Sequence, residues 1–174
     1  LGDIRLRLDD LAAARKAYER SLADFPQGQL LDRSRYGLGR ALAGLNEVDE
    51  AIKVFTELAT HGTSDWVDRA WFQAARLQVE HGRNADAIKS LDALDRDAPR
   101  SGLKAEAALL RSESLIKLGK GADAEPFLKS LIADGTEPLA SRAALSLATI
   151  QIERDDAEGA LATLDAALEH SSKS

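Results

Sequence analysis

The sequence repeats itself, and the period of that repeat restricts the fold more than any other feature. An alanine recurs at intervals of 37, 36, 37 and 36 residues, at Ala14, Ala51, Ala87, Ala124 and Ala160. Repeats of this length are typical of stacked helix pairs, because one pair cannot bury its apolar face alone. We therefore expect a stack of similar helical units.

Two further positions keep a fixed distance from each alanine. Twelve residues before it the residue is always small: Gly2, Gly39, Ala75, Ser112 or Ala148. Four residues after it the residue is always large and apolar: Tyr18, Phe55, Leu91, Leu128 or Leu164. Two close-packed antiparallel helices need this combination, because a small side chain lets the partner helix approach and a large one fills the space beside it. Both positions are therefore predicted to lie at contacts between helices.

The repeats also share a break between their two helices. Five residues that tolerate a left-handed backbone stand at this break: Asp9, Asn46, Gly82, Gly119 and Asp155. Many helices end at a residue in that conformation. The pattern predicts nine helices, a lone one followed by four pairs, or ten helices if residues 1 to 8 are also helical.

These positions together resemble the tetratricopeptide-repeat family. The family's leucine and following small residue match Leu1 and Gly2, Leu38 and Gly39, and Leu147 and Ala148. Its aromatic residue matches Tyr18 and Phe55, its terminal proline Pro26 and Pro99, and its tryptophan Trp71. The usual tyrosine of the first helix is missing, and the spacing exceeds the family's 34 residues. This longer spacing is similar to that of bacterial cell-envelope members. The resemblance implies an all-α fold, a right-handed α-solenoid of antiparallel helix pairs.

The resemblance covers the whole chain and implies a single domain over residues 1–174. The repeats are expected at about 1–26 (partial), 27–63, 64–99, 100–136 and 137–174. The sequence has no methionine and opens inside a helical pattern, so we expect it to be part of a longer chain. No targeting segment is visible, and the compartment stays open between the cell envelope and the cytoplasm.

Composition excludes several classes of function. A net charge of -6 and a pI near 5.1 oppose nucleic-acid binding, which needs a clustered basic surface. No apolar run approaches the roughly 20 residues that span a bilayer, so no membrane insertion is predicted. The chain has no cysteine, and its three histidines do not stand at metal-ligand spacing. We therefore predict no catalytic residue, no metal, no cofactor and no enzymatic activity.

The resemblance implies that the first helices line a concave groove. In two neighbouring repeats the family's groove positions hold arginine, an aromatic residue and arginine: Arg33, Tyr36, Arg40, Arg69, Phe72 and Arg76. Guanidinium groups bind carboxylates bidentately, and flat rings offer surfaces for apolar side chains. The residues therefore predict an interaction module that binds a peptide or protein segment of acidic character.

The same positions turn acidic in the third set. The third and fourth sets are Glu106, Leu109, Glu113 and Ile116, followed by Arg142, Leu145, Thr149 and Ile152. A groove with a basic and an acidic part would orient a peptide of mixed charge. We also expect the two tryptophans, Trp66 and Trp71, to pack across repeat boundaries.

Two alternatives stay open. In the first, the groove charges pair with each other: Asp3 with Arg40, Arg76 with Glu113, and Glu106 with Arg69 or Arg142, leaving Arg33 without a partner. Exposed pairs of this kind contribute only about 0 to 1 kcal/mol and need no ligand. In the second, the chain is a structural scaffold or a self-assembling repeat segment, for instance in a homo-oligomer, and the groove binds no peptide.

Overall fold

The structure is a computed structural model that describes residues 1–27, 30–62, 66–134 and 136–171. Over these residues it contains ten α-helices and no strand: α1 (Gly2–Arg7), α2 (Leu11–Asp24), α3 (Leu31–Gly44), α4 (Val48–His61), α5 (Val67–Glu80), α6 (Asn84–Asp97), α7 (Lys104–Lys117), α8 (Gly121–Asp134), α9 (Leu139–Glu153) and α10 (Ala157–Ser171). The all-α prediction is confirmed. The larger of the two helix counts applies, because the chain is already helical from Gly2.

The first helix of each pair ends where the sequence predicts. The five break residues all have positive φ, from 56° at Asp9 to 74° at Gly82. The next backbone N–H then donates to a carbonyl five residues earlier, as from Glu47 to Leu42 (2.9 Å). This bond satisfies a carbonyl that the end of a helix would otherwise leave without a partner. The repeated turn therefore sets the antiparallel return of each second helix.

The predicted contacts between small and large residues are present in the core. A Cβ atom added to Gly39 would lie 2.7 Å from a ring carbon of Phe55, which is 1% exposed. One added to Gly2 would lie 2.6 Å from the ring of Tyr18. Real Cβ atoms do not approach carbon so closely, so glycine is the residue that lets these rings pack against the facing helix.

In each of these helix pairs, the size of the small residue compensates for the size of the large residue that faces it. Where the large residue is aromatic, the small one is glycine. Where the large residue is Leu91 or Leu128, the small one is Ala75 or Ser112, and all four are fully buried. The Ser112 hydroxyl donates to the carbonyl of Ala108 (2.8 Å), so its burial leaves the hydroxyl hydrogen-bonded. Each helix pair therefore fills a similar volume with a different combination of side chains.

The contacts divide the chain into two compact units, Leu1–Ser101 (unit 1, α1 to α6) and Gly102–Ser174 (unit 2, α7 to α10). In each unit consecutive helices pack side by side; α1 also touches α3, and α7 touches α9. The single domain over residues 1–174 stays a prediction. The repeat ends expected at residues 63 and 174 lie outside the described residues. No helix in the described ranges is both long and apolar enough to cross a membrane.

Candidate functional site

Unit 1 contains a cleft of about 670 Å³ between α1, α3 and the start of α5. Among the residues that the structure describes, its charged lining consists of four arginines and one carboxylate: Arg7, Arg33, Arg40, Arg69 and Asp3. We call it the arginine cleft. Together with Tyr36, which also lines it, the cleft brings together four of the six residues predicted to bind a partner.

The face of α3 that lines the cleft follows from helix geometry. Arg33, Tyr36 and Arg40 are spaced by three and four residues and therefore lie on one side of the helix. Gly37, on the neighbouring part of α3, lies directly against the ring of Tyr18 from α2. This close approach allows Tyr18 of α2 to line the cleft together with residues of α3.

Asp3 is held by two donors inside the cleft. The Tyr18 hydroxyl donates to its Oδ1 atom (2.6 Å), and Arg33 Nη2 donates to its Oδ2 atom (2.5 Å). The hydrogen bond from Tyr18, and then the pairing with Arg33, lowers the pKa of the Asp3 carboxyl. Burial, followed by the bond to Asp3, raises the pKa of the Tyr18 hydroxyl. Asp3 is therefore a carboxylate at neutral pH.

This pairing corrects two expectations from the sequence. Arg33 was expected to have no partner and Asp3 to pair with Arg40, but Asp3 pairs with Arg33. The reason is that α1 packs against both α2 and α3, which brings Asp3 to the first turn of α3. The repeat spacing alone places Asp3 opposite Arg40, but it does not include the packing of α1 against α2 and α3.

The other three arginines of the cleft have no such partner. Within the described ranges no carboxylate forms an ion pair with Arg7, Arg40 or Arg69, and all three are exposed. The guanidinium carbon of Arg69 lies 5.3 Å from the centre of the Trp66 ring, a cation–π contact that stabilises the positive charge of Arg69. The cleft thus presents three guanidinium groups whose hydrogen-bond donors are available to an anion.

The aromatic rings of Tyr36 and Trp66 also line the arginine cleft. The rings of Trp66 and Tyr36 have centres 4.9 Å apart, and Tyr36 meets the buried Phe55 edge to face at 5.5 Å. Such contacts add to the stabilisation from burial and restrict ring orientation. Trp66 precedes α5 and Tyr36 belongs to α3, so the expectation that Trp66 packs across a repeat boundary is confirmed.

The remaining two predicted residues, Arg76 and Phe72, do not line the arginine cleft. Arg76 lines a second cleft of about 520 Å³, which shares Leu6, Tyr36 and Arg40 with the first. Its Nε atom is 3.5 Å from Glu80 Oε1 on the next turn of α5. Phe72 is half-buried and lines neither of these two clefts. The partner-binding role of all six residues stays a prediction.

Arg7 and Trp66 line the cleft but do not belong to the set of partner-binding residues predicted from the sequence. Arg7 stands four residues after Asp3, so helical spacing places both on one side of α1 once that segment is known to be helical. Trp66 lies three residues before Arg69, where the family pattern has no groove position. The position of Arg7 could therefore be predicted from helix spacing, whereas the position of Trp66 depends on the path of the chain before α5.

Unit 2 carries a different surface at the corresponding positions. Arg142 Nη2 donates to Glu113 Oε1 (2.7 Å), so Glu113 has a partner within its own unit. Leu109 is buried at 2% exposure, whereas Leu145 and Ile152 are each 60% exposed. In the described part of the chain no group of three histidine, cysteine, aspartate or glutamate side chains could hold a metal ion.

Two family models match the chain. A tetratricopeptide-repeat model matches residues 1–65, and a tetratricopeptide repeat-like domain model matches residues 51–173. The second match alone covers more than half of the chain. The overlap of the two at residues 51–65 shows that the likeness runs without interruption through the first four helices and beyond. No curated protein matches the sequence.

Solved structures share the fold at low identity. MamA has 18% identity and a TM-score of 0.82, over 99% of this chain and 95% of that one. A putative kinesin light chain from Podosopora anserina, with nearly identical TPR-like repeats, has 13% identity and a TM-score of 0.75, over 99% and 92%. YrrB, described as a TPR protein with an unusual peptide-binding site, has 16% identity and a TM-score of 0.73, over 97% and 82%. The predicted α-solenoid of antiparallel helix pairs is confirmed.

Proposed function

This chain belongs to the tetratricopeptide-repeat family and is in general terms a protein-interaction module, and from that premise we propose that it binds an acidic peptide or protein segment in the arginine cleft. The observation that carries the proposal is the set of three guanidinium groups, on Arg7, Arg40 and Arg69, that no carboxylate of the described chain neutralises. Their positive charges repel each other in a shared cleft, and a bound anion relieves that repulsion.

The charge of the whole chain strengthens the case for an acidic ligand. The protein carries a net charge of -6, so a cleft lined by four arginines and one carboxylate departs from its average surface. A local field of this kind steers oppositely charged partners to one place and speeds their association. The ring of Trp66 supplies apolar surface next to the cations, which suits a peptide better than a bare inorganic ion.

The chemistry of the cleft supports binding over catalysis. A guanidinium group stays protonated at physiological pH and offers only donors, so it orients carboxylates without transferring protons. The carboxylate of Asp3 is already engaged by Tyr18 and Arg33. These groups can therefore recognise an anionic segment through bidentate hydrogen bonds.

The test compares peptide binding before and after the cleft charge is reversed. A panel of extended peptides, including acidic C-terminal tails and lysine-rich controls, is titrated by fluorescence anisotropy at low and moderate salt. Acidic peptides are expected to bind the unsubstituted chain, more weakly as salt rises. The variant with Arg40→Glu and Arg69→Glu is expected to bind at least about tenfold more weakly, because two charge-assisted contacts become repulsions.

A matched control reverses two cations elsewhere on unit 1. Lys53 and Lys89 are about three-quarters exposed and line neither of the two clefts described above. The variant with Lys53→Glu and Lys89→Glu changes the net charge equally and is expected to keep most of the binding. Equal weakening in both variants would show that only overall charge matters. No peptide binding by the folded chain would favour the scaffold alternative.

A further inference from the structure

Asp3 is the sole carboxylate among the described residues that line the arginine cleft. It lies on α1, its side chain is 44% exposed, and each of its oxygens accepts one hydrogen bond. One donor is the neutral hydroxyl of Tyr18 and the other is the charged guanidinium of Arg33. The cleft therefore already contains one example of the group that the proposed ligand would bring.

Two roles for Asp3 make different demands on its charge. Attaching α1 to the rest of unit 1 requires only an acceptor for the Tyr18 hydroxyl, and an amide oxygen serves that purpose equally. The packing of Gly2 against the ring of Tyr18 holds α1 independently of any charge. Pairing with Arg33, in contrast, requires the negative charge, because that charge cancels one of the four cations in the cleft.

We infer that Asp3 is a specificity-determining residue of the arginine cleft, because its carboxylate occupies Arg33 and so limits how strongly the cleft binds anions. This inference rests on the proposed function. With Asp3 in place, a ligand meets three available guanidinium groups and a nearby negative charge. The cleft then favours a segment whose carboxylates are spaced to reach Arg7, Arg40 and Arg69, and it discriminates against a dense acidic run that would also approach Asp3.

The direct test replaces Asp3 by its neutral isostere in the 174-residue chain. Binding of fluorescein-labelled hexaglutamate is measured for the unsubstituted chain and for Asp3→Asn at low and moderate salt. The variant is expected to bind about two- to fivefold more tightly at low salt, the range that one exposed charge pair supports. The gain should shrink as salt rises, because mobile ions screen the added charge.

A control separates this local effect from the change in net charge. Glu50 lies exposed in the first turn of α4 and lines neither of the two clefts described above. Glu50→Gln removes one negative charge, as Asp3→Asn does, and is expected to leave hexaglutamate affinity almost unchanged. If Glu50→Gln tightened binding as much as Asp3→Asn, the inference would be overturned.

A double variant tests whether Arg33 is the residue that Asp3 restrains. Adding Arg33→Gln to Asp3→Asn removes both members of the pair and leaves the cleft charge as it was. Affinity is expected to return close to that of the unsubstituted chain, because the guanidinium group that Asp3→Asn releases is no longer present. If the double variant kept the whole gain of Asp3→Asn, the gain would not come from Arg33 and the inference would fail.

The outcomes distinguish this inference from the proposed function. If the unsubstituted chain binds hexaglutamate and Asp3→Asn binds equally or less tightly, the inference fails while the proposed function stands. If neither folded protein binds any acidic peptide, both fail. Circular dichroism checks folding of each variant. If Asp3→Asn does not fold, Asp3→Ser, which keeps an oxygen for the Tyr18 hydroxyl, replaces it in the same measurement with the same expected gain.

Discussion

Unit 1 and unit 2 share the same pairing of helices and present different surfaces on it. Shifted by 73 residues, Arg33 and Arg40 of α3 correspond to Glu106 and Glu113 of α7. The packing positions do not change in this way: Ala51 and Ala124 are both fully buried. One set of helix positions therefore packs the helices together, and another set, a few residues away on the same helices, forms the exposed surface.

The two units also differ in how their charges are satisfied. In unit 2, Glu113 pairs with Arg142, and Glu125 accepts hydrogen bonds from both Lys129 and Arg154. Lys129, and then Arg154, lowers the pKa of Glu125. In unit 1 the arginines of the cleft outnumber the carboxylates that reach them. This difference is the reason that the proposed acidic partner is assigned to unit 1.

The largest effect is expected when the large residue of a helix pair is truncated in each unit. Phe55→Ala should cost about 3–5 kcal/mol in the free energy of unfolding, and Leu128→Ala about 2–5 kcal/mol. The cost at Phe55 should be the greater, because the facing residue is Gly39 and no side chain there can relax into the cavity. Urea unfolding measures both. Tryptophan fluorescence reports unit 1, which holds both tryptophans, and far-UV circular dichroism reports α-helix in general.

Phe25→Ala provides the matched control for the aromatic truncation. Phe25 is 67% exposed at the end of α2, so its loss should change the unfolding free energy by only about 0.5 kcal/mol. Similar losses for Phe55→Ala and Phe25→Ala would contradict the packing role given to the contact between Gly39 and Phe55.

A smaller effect is expected from enlarging the small position of unit 1. Gly39→Ala should destabilise the chain by about 1–3 kcal/mol, because the new methyl group meets the buried Phe55 ring and overpacks the core. Adding Phe55→Leu to Gly39→Ala recreates the combination of alanine and leucine that the next repeat uses at Ala75 and Leu91. Thermal unfolding of both single variants and of the double variant measures their coupling. Strict additivity would rule out size compensation between the two positions.

The smallest effect concerns the turn shared by both units. Asp155 in unit 2 and Asn46 in unit 1 both have φ of 61°, which strains most side chains and not glycine. Asp155→Gly should stabilise the chain by about 0.5 kcal/mol, and Asn46→Gly by less, since asparagine tolerates this conformation better than aspartate. Differential scanning calorimetry should show the larger rise in melting temperature for Asp155→Gly. A drop in both variants would contradict the strain assigned to the turn.

Many features of the fold were readable from local pattern. The period of 36 or 37 residues, the small and large positions and the break residues predicted the all-α stack, and the backbone confirms each of the five left-handed turns. Such features depend on helix spacing and on residue size, both of which act over a few residues of chain. Helix spacing also predicted that Arg33, Tyr36 and Arg40 share one face of α3, whereas their meeting with Arg69 of α5 depends on how the helices pack.

Tertiary structure alone decided the electrostatics of that cleft. Local sequence pattern was enough to predict which helices form and which faces they bury, because side-chain periodicity and backbone preference are properties of short segments. Local pattern could not predict that Asp3 pairs with Arg33, that the ring of Trp66 contacts that of Tyr36, or that Arg76 lines a neighbouring cleft. Those contacts depend on how far one helix leans towards another, and a shift of a few ångströms changes the partner of an exposed charge.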